Sequence, residues 1–588
     1  MQTTSGQQQV PARIGARRRG LPFPLPSRGT YIVSAMIMTL GVFLIYPVLL
    51  ILTLSFNTSE QFFFGERTWG LDNWINAWKE PGLFKALFNT VWLWVLSAGV
   101  AFPIAVSISW LLARTKIPWS HGLEFLFWIG YVTPGGLVAW IMLFDPSIGL
   151  ANVVLRELPF VERGPFNIFS VQGIIFVNIV GSGISLKVML LTPAFRNMDA
   201  ALEDAARVGG ASTIRTMLRI TVPMMVAPIA LVFALQMMRM FNSFENELIL
   251  GLPIGFFVYS TKIYDQVRLH EPPLYGQATA LAGITLILIA FIIPMQRWIL
   301  QRRRYTTITG SFKPGLLNLG PWANVAFGSI LFYHFFVTFL PLLVMVGGSF
   351  MTRTGYFILD PIFTLDHWTW TLRHHVFWGA LRTTLILSTA TAIISPVLFA
   401  LIAYVLVRTR WRFRIGLDGV IWVSAAIPGM LSGLGLLLVF LGTPGLGIIY
   451  GTIWALLIVI ILQGNTTGVN ITKGSLVQVG ADIEEAARVA GAGWTRTFFR
   501  IWIPVLMPTL ALLALFNFTI AAGTTSSIIL LASRETITAS ILVLEWLMPG
   551  ARLREEAAVV QIILGSITLV AAFIARRYGI SVGVRHSR

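Results

Sequence analysis

Residues 203–223 and 484–504 are near copies of each other, so the chain is expected to fold as two related halves. They align without a gap at an offset of 281 and agree at 12 of 21 positions: Glu203, Ala205, Ala206, Arg207, Val208, Gly210, Ala211, Arg215, Thr216, Arg219, Ile220 and Pro223. The likeness reaches further at an offset of 294. Leu71-Asp72-Asn73-Trp74 matches Leu365-Asp366-His367-Trp368, Arg114-Thr115-Lys116 matches Arg408-Thr409-Arg410, and Pro134-Gly135 matches Pro428-Gly429. The drop in offset leaves 13 extra residues in the first half between Gly135 and Glu203, most simply in the stretch 145–170.

Both copied segments are polar islands between long apolar runs. The chain of 588 residues is 56% hydrophobic and 12% charged, with mean hydropathy +0.76, where a soluble globular protein carries roughly 25% charged residues. It therefore reads as a polytopic membrane protein. A spanning helix needs about 20 apolar residues. Candidate runs lie near 31–55, 86–113, 122–144, 169–193, 223–246 and 276–299, then near 324–348, 378–407, 417–441, 449–470, 505–531 and 556–576. The expected fold is an all-α integral membrane protein of about twelve transmembrane helices in two six-helix repeats. An even number of spans per half makes the repeat parallel, about an axis along the membrane normal.

Lys and Arg are retained on the cytoplasmic side. With the N-terminus inside, 28 of the 43 basic residues fall on cytoplasmic segments, 13 on outer loops, and Lys187 and Arg239 inside apolar runs. Both islands then face the cytoplasm. The expected organisation is a disordered cytoplasmic tail over 1–28, a first half over 29–300 with its loop at 197–223, and a linker over 301–323. A second half follows over 324–578 with its loop at 473–504, then a cytoplasmic tail over 579–588. The run from Tyr31 to Phe56 is too long for the apolar core of a signal peptide and is read as a retained first helix.

Each island reads as a short helix, a glycine turn at Gly210 or Gly491, and a second short helix through Thr213–Leu218 or Thr495–Phe499. A glycine lets the chain turn sharply because it has no Cβ to clash. Pro223 and Pro504 then stand where the next spanning helix begins. Small alanines permit close approach, and Glu203, Asp204, Glu484 and Glu485, with Arg207 and Arg488, offer charged contacts at the rim. An amphipathic helix resting on lipid headgroups would have the same look. Two copies ahead of matching helices favour a docking surface for a two-fold partner.

These islands resemble the EAA loops of the permease subunits of binding-protein-dependent ABC importers of the type I fold. That pattern is Glu-Ala-Ala, three residues, Gly, nine residues, Ile, two residues, Pro. The second copy fits fully with Glu485, Ala486, Ala487, Gly491, Ile501 and Pro504; the first has Asp204 for the acid, then Ala205, Ala206, Gly210, Ile220 and Pro223. The resemblance implies that each loop is a coupling helix seated on one of two copies of an ABC ATPase subunit. It implies a periplasmic solute-binding protein as the other partner, a bacterial inner membrane as the location, and alternating access as the mechanism. The fused arrangement is similar to permeases for ferric iron, the favoured solute, and also to those for thiamine, aminoethylphosphonate or polyamine. ATP hydrolysis would take place on the separate subunits.

The residues themselves agree that this chain is no enzyme. There is no phosphate loop: Gly464-Asn465-Thr466-Thr467-Gly468 comes nearest, and Val469 stands where the lysine belongs. No cysteine is present, so thiol chemistry and zinc–thiolate sites are excluded. No cofactor or metal is expected; His374-His375 has no acidic or thiolate neighbour to complete a site. The net charge of +18 comes in short clusters without interleaved aromatics, which argues against nucleic acid. Charges inside the membrane are functional candidates. Arg239, Asn242 and Glu245, opposite Thr524 and Thr525 of the second half, are expected to line the translocation pathway; an Arg239–Glu245 structural contact is the alternative. Lys187 reads as snorkelling to its helix end or touching solute. Pro134-Gly135-Gly136 and Pro428-Gly429 break the third span of each half, as an unwound pathway element or through close glycine packing. The competing reading of the whole is an ion-coupled secondary transporter, which should carry more membrane-embedded carboxylates than this chain has.

Overall fold

The computed structural model describes residues 38–302 and 316–577, apart from 40, 60, 80, 133–135, 163, 199–200, 239, 410–413, 425–426, 481 and 552. The expected tails, most of the expected linker, Pro134, Gly135 and Arg239 lie outside the described residues.

The fold is helical, and each of the twelve apolar runs carries a helix or a helix pair. Among the described residues six helices are long and apolar enough to cross a bilayer: Gly82–Arg114, Val171–Arg196, Trp322–Phe350, His375–Arg408, Ile453–Val477 and Trp494–Gly523. Two bent pairs raise that number to eight: Ser120–Tyr131 with Gly136–Phe144, turned by 87°, and Thr213–Met224 with Val226–Ala234, turned by 61°. Tyr46–Leu54, Tyr275–Arg302, Gly429–Gly442 and Arg554–Arg577 occupy the remaining runs. Apolarity alone does not report where a run bends, so a count of runs exceeds a count of straight spans.

The two halves repeat contacts as well as residues. Trp74 donates its indole N–H to Ser55 at 3.0 Å and stacks on Phe56; Trp368 does the same with Ser349 at 3.2 Å and stacks on Phe350. Thr90 caps the backbone N–H of Tyr259 at 2.9 Å, and Thr384 that of Ala539 at 2.8 Å. Each first span crosses over to the other half. Tyr46–Leu54 packs on Gly429–Gly442, and Leu340–Phe350 packs on Gly136–Phe144, while each also packs on the last span of its own half. One continuous apolar core therefore joins residues of both halves.

The 13-residue insertion forms the helix Leu150–Arg156 and reinforces this joint. Asp145 at its root receives Arg554 of the second half at 2.6 Å. Arg268 reaches across to the carbonyls of Ile529 at 2.8 Å and Ala532 at 3.1 Å. Gly355, at φ +80°, lies so close that a Cβ there would sit 1.9 Å from the carbonyl oxygen of Ile148. These ties all lie at the end of the bundle away from the two copied loops.

Candidate functional site

Each copied loop is one helix, a glycine turn, and a second helix that leads into a span, without a break in the second half (Trp494–Gly523) and through a 61° bend after Met224 in the first. The first helices are Ala201–Val208 and Asp482–Val489. Gly210 and Gly491 follow at φ +81° and +76°. A Cβ would meet nothing within 4 Å at either position, so the left-handed backbone alone calls for glycine. The second helix is no separate element. It passes through a π turn, Met217–Thr221 or Phe498–Trp502, into the fifth span. Val222 and Ile503 bond five residues back, to Met217 and Phe498, just ahead of Pro223 and Pro504. The wider turn accommodates a residue that brings a ring and no N–H. A push on the second loop is thereby passed along an unbroken helix, while in the first the chain turns by 61° at Met225 before the span continues.

The charged residues divide differently from the rim expected of them. Glu203 is 1% exposed and turned inward. It receives Arg114 Nη2 at 2.5 Å and Nε at 3.1 Å on one oxygen, and the Thr221 hydroxyl at 2.6 Å on the other. Arg114, also 1% exposed, spends Nη1 on the carbonyl of Met198 at 3.0 Å. Glu203 thus fastens the loop to its own bundle, because a carboxylate at this depth needs a counter-charge and donors. Asp204 is exposed and paired with Arg207. In the second loop Glu484 accepts the Tyr404 hydroxyl at 2.9 Å, and Glu485 is exposed. Arg408, the match of Arg114, donates to the carbonyls of Leu476 and Val479 and lies over the Trp502 ring at 4.8 Å. Ala205, Ala206 and Ala486 are solvent-facing or nearly so; Ala487 is buried.

The outer surface of the loops is apolar at its tips. Val208 is 91% exposed and Val489 90%, while Leu218 and Phe499, also at matching positions, are 58% exposed each. The anchoring arginines and these tips were missed as functional residues. Their signal was present, since Arg114/Arg408 and Val208/Val489 are identical in the repeat.

Of the expected pathway residues, Glu245 and Thr525 come together. Both residues line a cavity of about 430 Å³ between the halves. Asn242 instead accepts the backbone N–H of Gly429 at 2.6 Å, holding the broken third span of the second half. Thr524 does not line the cavity; its hydroxyl turns back to the Ile520 carbonyl at 2.6 Å. Lys187 does not snorkel. It is 5% exposed, donates to the Gly183 carbonyl at 2.6 Å and sits 5.1 Å from the Phe102 ring centre. His374 stacks on His375 and meets the Trp370 ring at a tilt. Among the described residues no three His, Cys, Asp or Glu side chains gather as metal ligands.

Comparison with known proteins gives a family to this arrangement. The ferric transport system permease protein FbpB of Actinobacillus pleuropneumoniae is 25% identical over 387 residues, which is 65% of this chain and 54% of that protein. A probable ABC transporter permease protein of Sinorhizobium fredii is 23% identical over 449 residues, 74% of this chain and 76% of that one. The match spans about half the length of the two ferric permease relatives. Among solved structures, an ABC transporter importing the acidic polysaccharide alginate overlays with a TM-score of 0.39 at 18% identity, covering 48% of this chain and 98% of that one. The profile of one family matches twice, over residues 105–305 and 396–578, one match in each half and each including a copied loop. The chain belongs to the family of binding-protein-dependent transport system inner membrane components.

Proposed function

We propose that this chain is the membrane subunit of an ATP-driven importer of a bacterial inner membrane. Its two loops face the cytoplasm, and each seats on one copy of an ATPase subunit. A periplasmic binding protein delivers the solute to the opposite face. Closing of the ATPase pair moves the loops together, and the backbone leading from each loop into its fifth span turns that movement into alternating access. The observation that carries this reading is the paired construction of the loops. Each presents an exposed valine at its tip, is tied to the bundle at its base, and leads through a π turn toward its fifth span. A resting amphipathic helix would need no tie of this kind. The ferric permease relatives make ferric iron the favoured solute. Glu203, Glu484, Arg114 and Arg408 act as positioning residues, while Asp204, Glu485, Val208 and Val489 meet the partner.

The test is co-purification with the candidate ATPase subunit. Val208→Asp with Val489→Asp places charge on the two apolar tips and disturbs no buried contact. Capture of the ATPase should fall at least tenfold while the chain keeps its gel-filtration profile. Undiminished capture would overturn the docking assignment.

A further inference from the structure

The cavity between the halves has a twin, and the twin is filled. The large one lies between Gly136–Phe144 of the first half and Leu340–Phe350 of the second. Its counterpart, between Gly429–Gly442 and Tyr46–Leu54, holds only about 20 Å³. The backbones correspond: Pro47 lines one and Pro341 the other, each at the start of its helix. The side chains differ. Thr338 stands where the twin has Leu44, and Gly181 where it has Leu462. Leucine closes one side, and the smaller residues leave the other open.

The open side is polar, and its polarity has one sign. Tyr131, Glu245, Asn246, Thr338, Thr525, Ser540 and Gln561 line it, with no Lys, Arg or His among the described lining residues. At the matching positions the second half has Ser526 for Glu245, and the first has Phe244 for Thr525, with Phe244 1% exposed. Asn246 uses its amide N–H on Asn178 at 2.9 Å, which leaves its carbonyl oxygen as an acceptor. The described lining is thus one carboxylate among neutral hydroxyls and amides, in a setting of low dielectric where the carboxylate repels an anion. It is too sparse to strip a metal ion bare, since hard cations ask for six or more oxygens at close range. It is also wide enough for an ion that keeps its ligands. A transit site has to bind weakly enough to release.

We infer that this cavity is a single, one-sided site for a cationic solute that keeps its own ligand shell, and that it refuses oxyanions. The assignment rests on the transport reading above and adds to it the charge of the solute and a stoichiometry of one. The probe is hexaamminecobalt(III), a trivalent cation with an inert shell, with molybdate as the oxyanion. Both are dialysed to equilibrium against the full chain in nanodiscs of neutral lipid. One cobalt complex should bind per chain and molybdate should not bind. Glu245→Gln should weaken cobalt binding at least tenfold, and Thr338→Leu, which copies the filled twin, should weaken it similarly with the carboxylate intact. Two complexes per chain, binding unchanged in both variants, or binding of molybdate would each overturn the inference. ATPase capture by the same samples is scored separately. Capture without cobalt binding would sink this site alone, and absence of capture by the unaltered chain would sink the transport reading.

Discussion

The loop at 203–223 and the loop at 484–504 agree at 12 of 21 positions, yet they are fastened by different chemistry. In the first, Arg114 and Glu203 form a fully buried ion pair, and the third donor, Thr221, comes from the loop side. In the second, the carboxylate of Glu484 takes its hydroxyl from the bundle side, from Tyr404. The two positions have exchanged partners: Trp110 matches Tyr404, and Thr221 matches Trp502. Trp502, fully buried, covers Arg408 with its ring, and Arg408 turns to backbone carbonyls instead of a carboxylate. Tyr404, Trp494 and Phe498 complete an aromatic clamp that the first loop lacks. The first anchor gains one further support, the chain entering the second half, where Leu317 pairs with Arg114 and Lys116 through backbone bonds of 2.8 and 2.9 Å. Two loops under the same outward requirement can thus be held by an electrostatic lock or by an aromatic one.

The largest effect should separate the two arginines. Arg114→Met leaves Glu203 buried without its counter-charge, a loss of about 3–5 kcal/mol. Arg408→Met removes bonds to carbonyls and a ring contact, about 1–3 kcal/mol. Hydrogen exchange of the amides in 201–208 should then accelerate about a hundredfold or more in the first variant. The amides in 482–489 should accelerate nearer tenfold in the second. Equal acceleration would show that the two anchors are energetically alike despite their chemistry.

A smaller change tests the exchanged hydroxyls. Tyr404→Phe removes the O–H donor from Glu484, a hydrogen bond to a charged group worth about 1.5–3 kcal/mol. Thr221→Val removes the corresponding donor from Glu203, which still holds two N–H bonds from Arg114, so about 1 kcal/mol is expected. Exchange at the two loops should rank in that order. A first loop that loosens more than the second would contradict the assignment of Arg114 as its main fastening.

The repeat made the helical class, the duplication and both loops legible, because apolar runs and copied residues are local in sequence. The glycine turns were legible for the same reason: Gly210 and Gly491 recur, and a left-handed φ has few other occupants. What a carboxylate faces was not legible. Glu203 and Asp204 are neighbours, and only the helix phase turns one inward to Arg114 and the other out to Arg207. Arg114 lies 89 positions from its partner, and no periodicity links them. Bends and cavities were hidden too. The 87° turn of one third span, and a void set by Thr338 against Leu44, depend on packing across the halves.

The same comparison continues at the far end of the bundle, where its consequence is a dependence on pH. Asn73 and His367 occupy matching positions, each on a short helix after the first span of its half. Asn73 donates to the carbonyls of Ser55 at 3.2 Å and Asn57 at 2.6 Å, and nothing in that corner titrates through the contact. His367 sits 2.8 Å from Glu556 through Nδ1 and 3.2 Å from the Thr352 carbonyl through Nε2. The hydrogen bond to Glu556 raises the imidazole above its usual 6.5, burial opposes it, and the charges of Glu556 and Glu555 add to the rise. A histidine whose folded value is raised favours folding in its protonated form, so the contribution is complete below about pH 6.5 and is lost as pH climbs through the raised value. Between pH 6 and 9, exchange at amides 352–368, corrected for its intrinsic pH dependence, should accelerate, while amides 55–74 should stay level. His367→Asn, which copies the first half, should flatten the response of the second corner, because an amide does not titrate and can donate to Glu556 or the Thr352 carbonyl at any pH in that range. A slope that survives this substitution would move the titration to another group, and a slope shared by both corners would mean that the difference between Asn73 and His367 does not govern it.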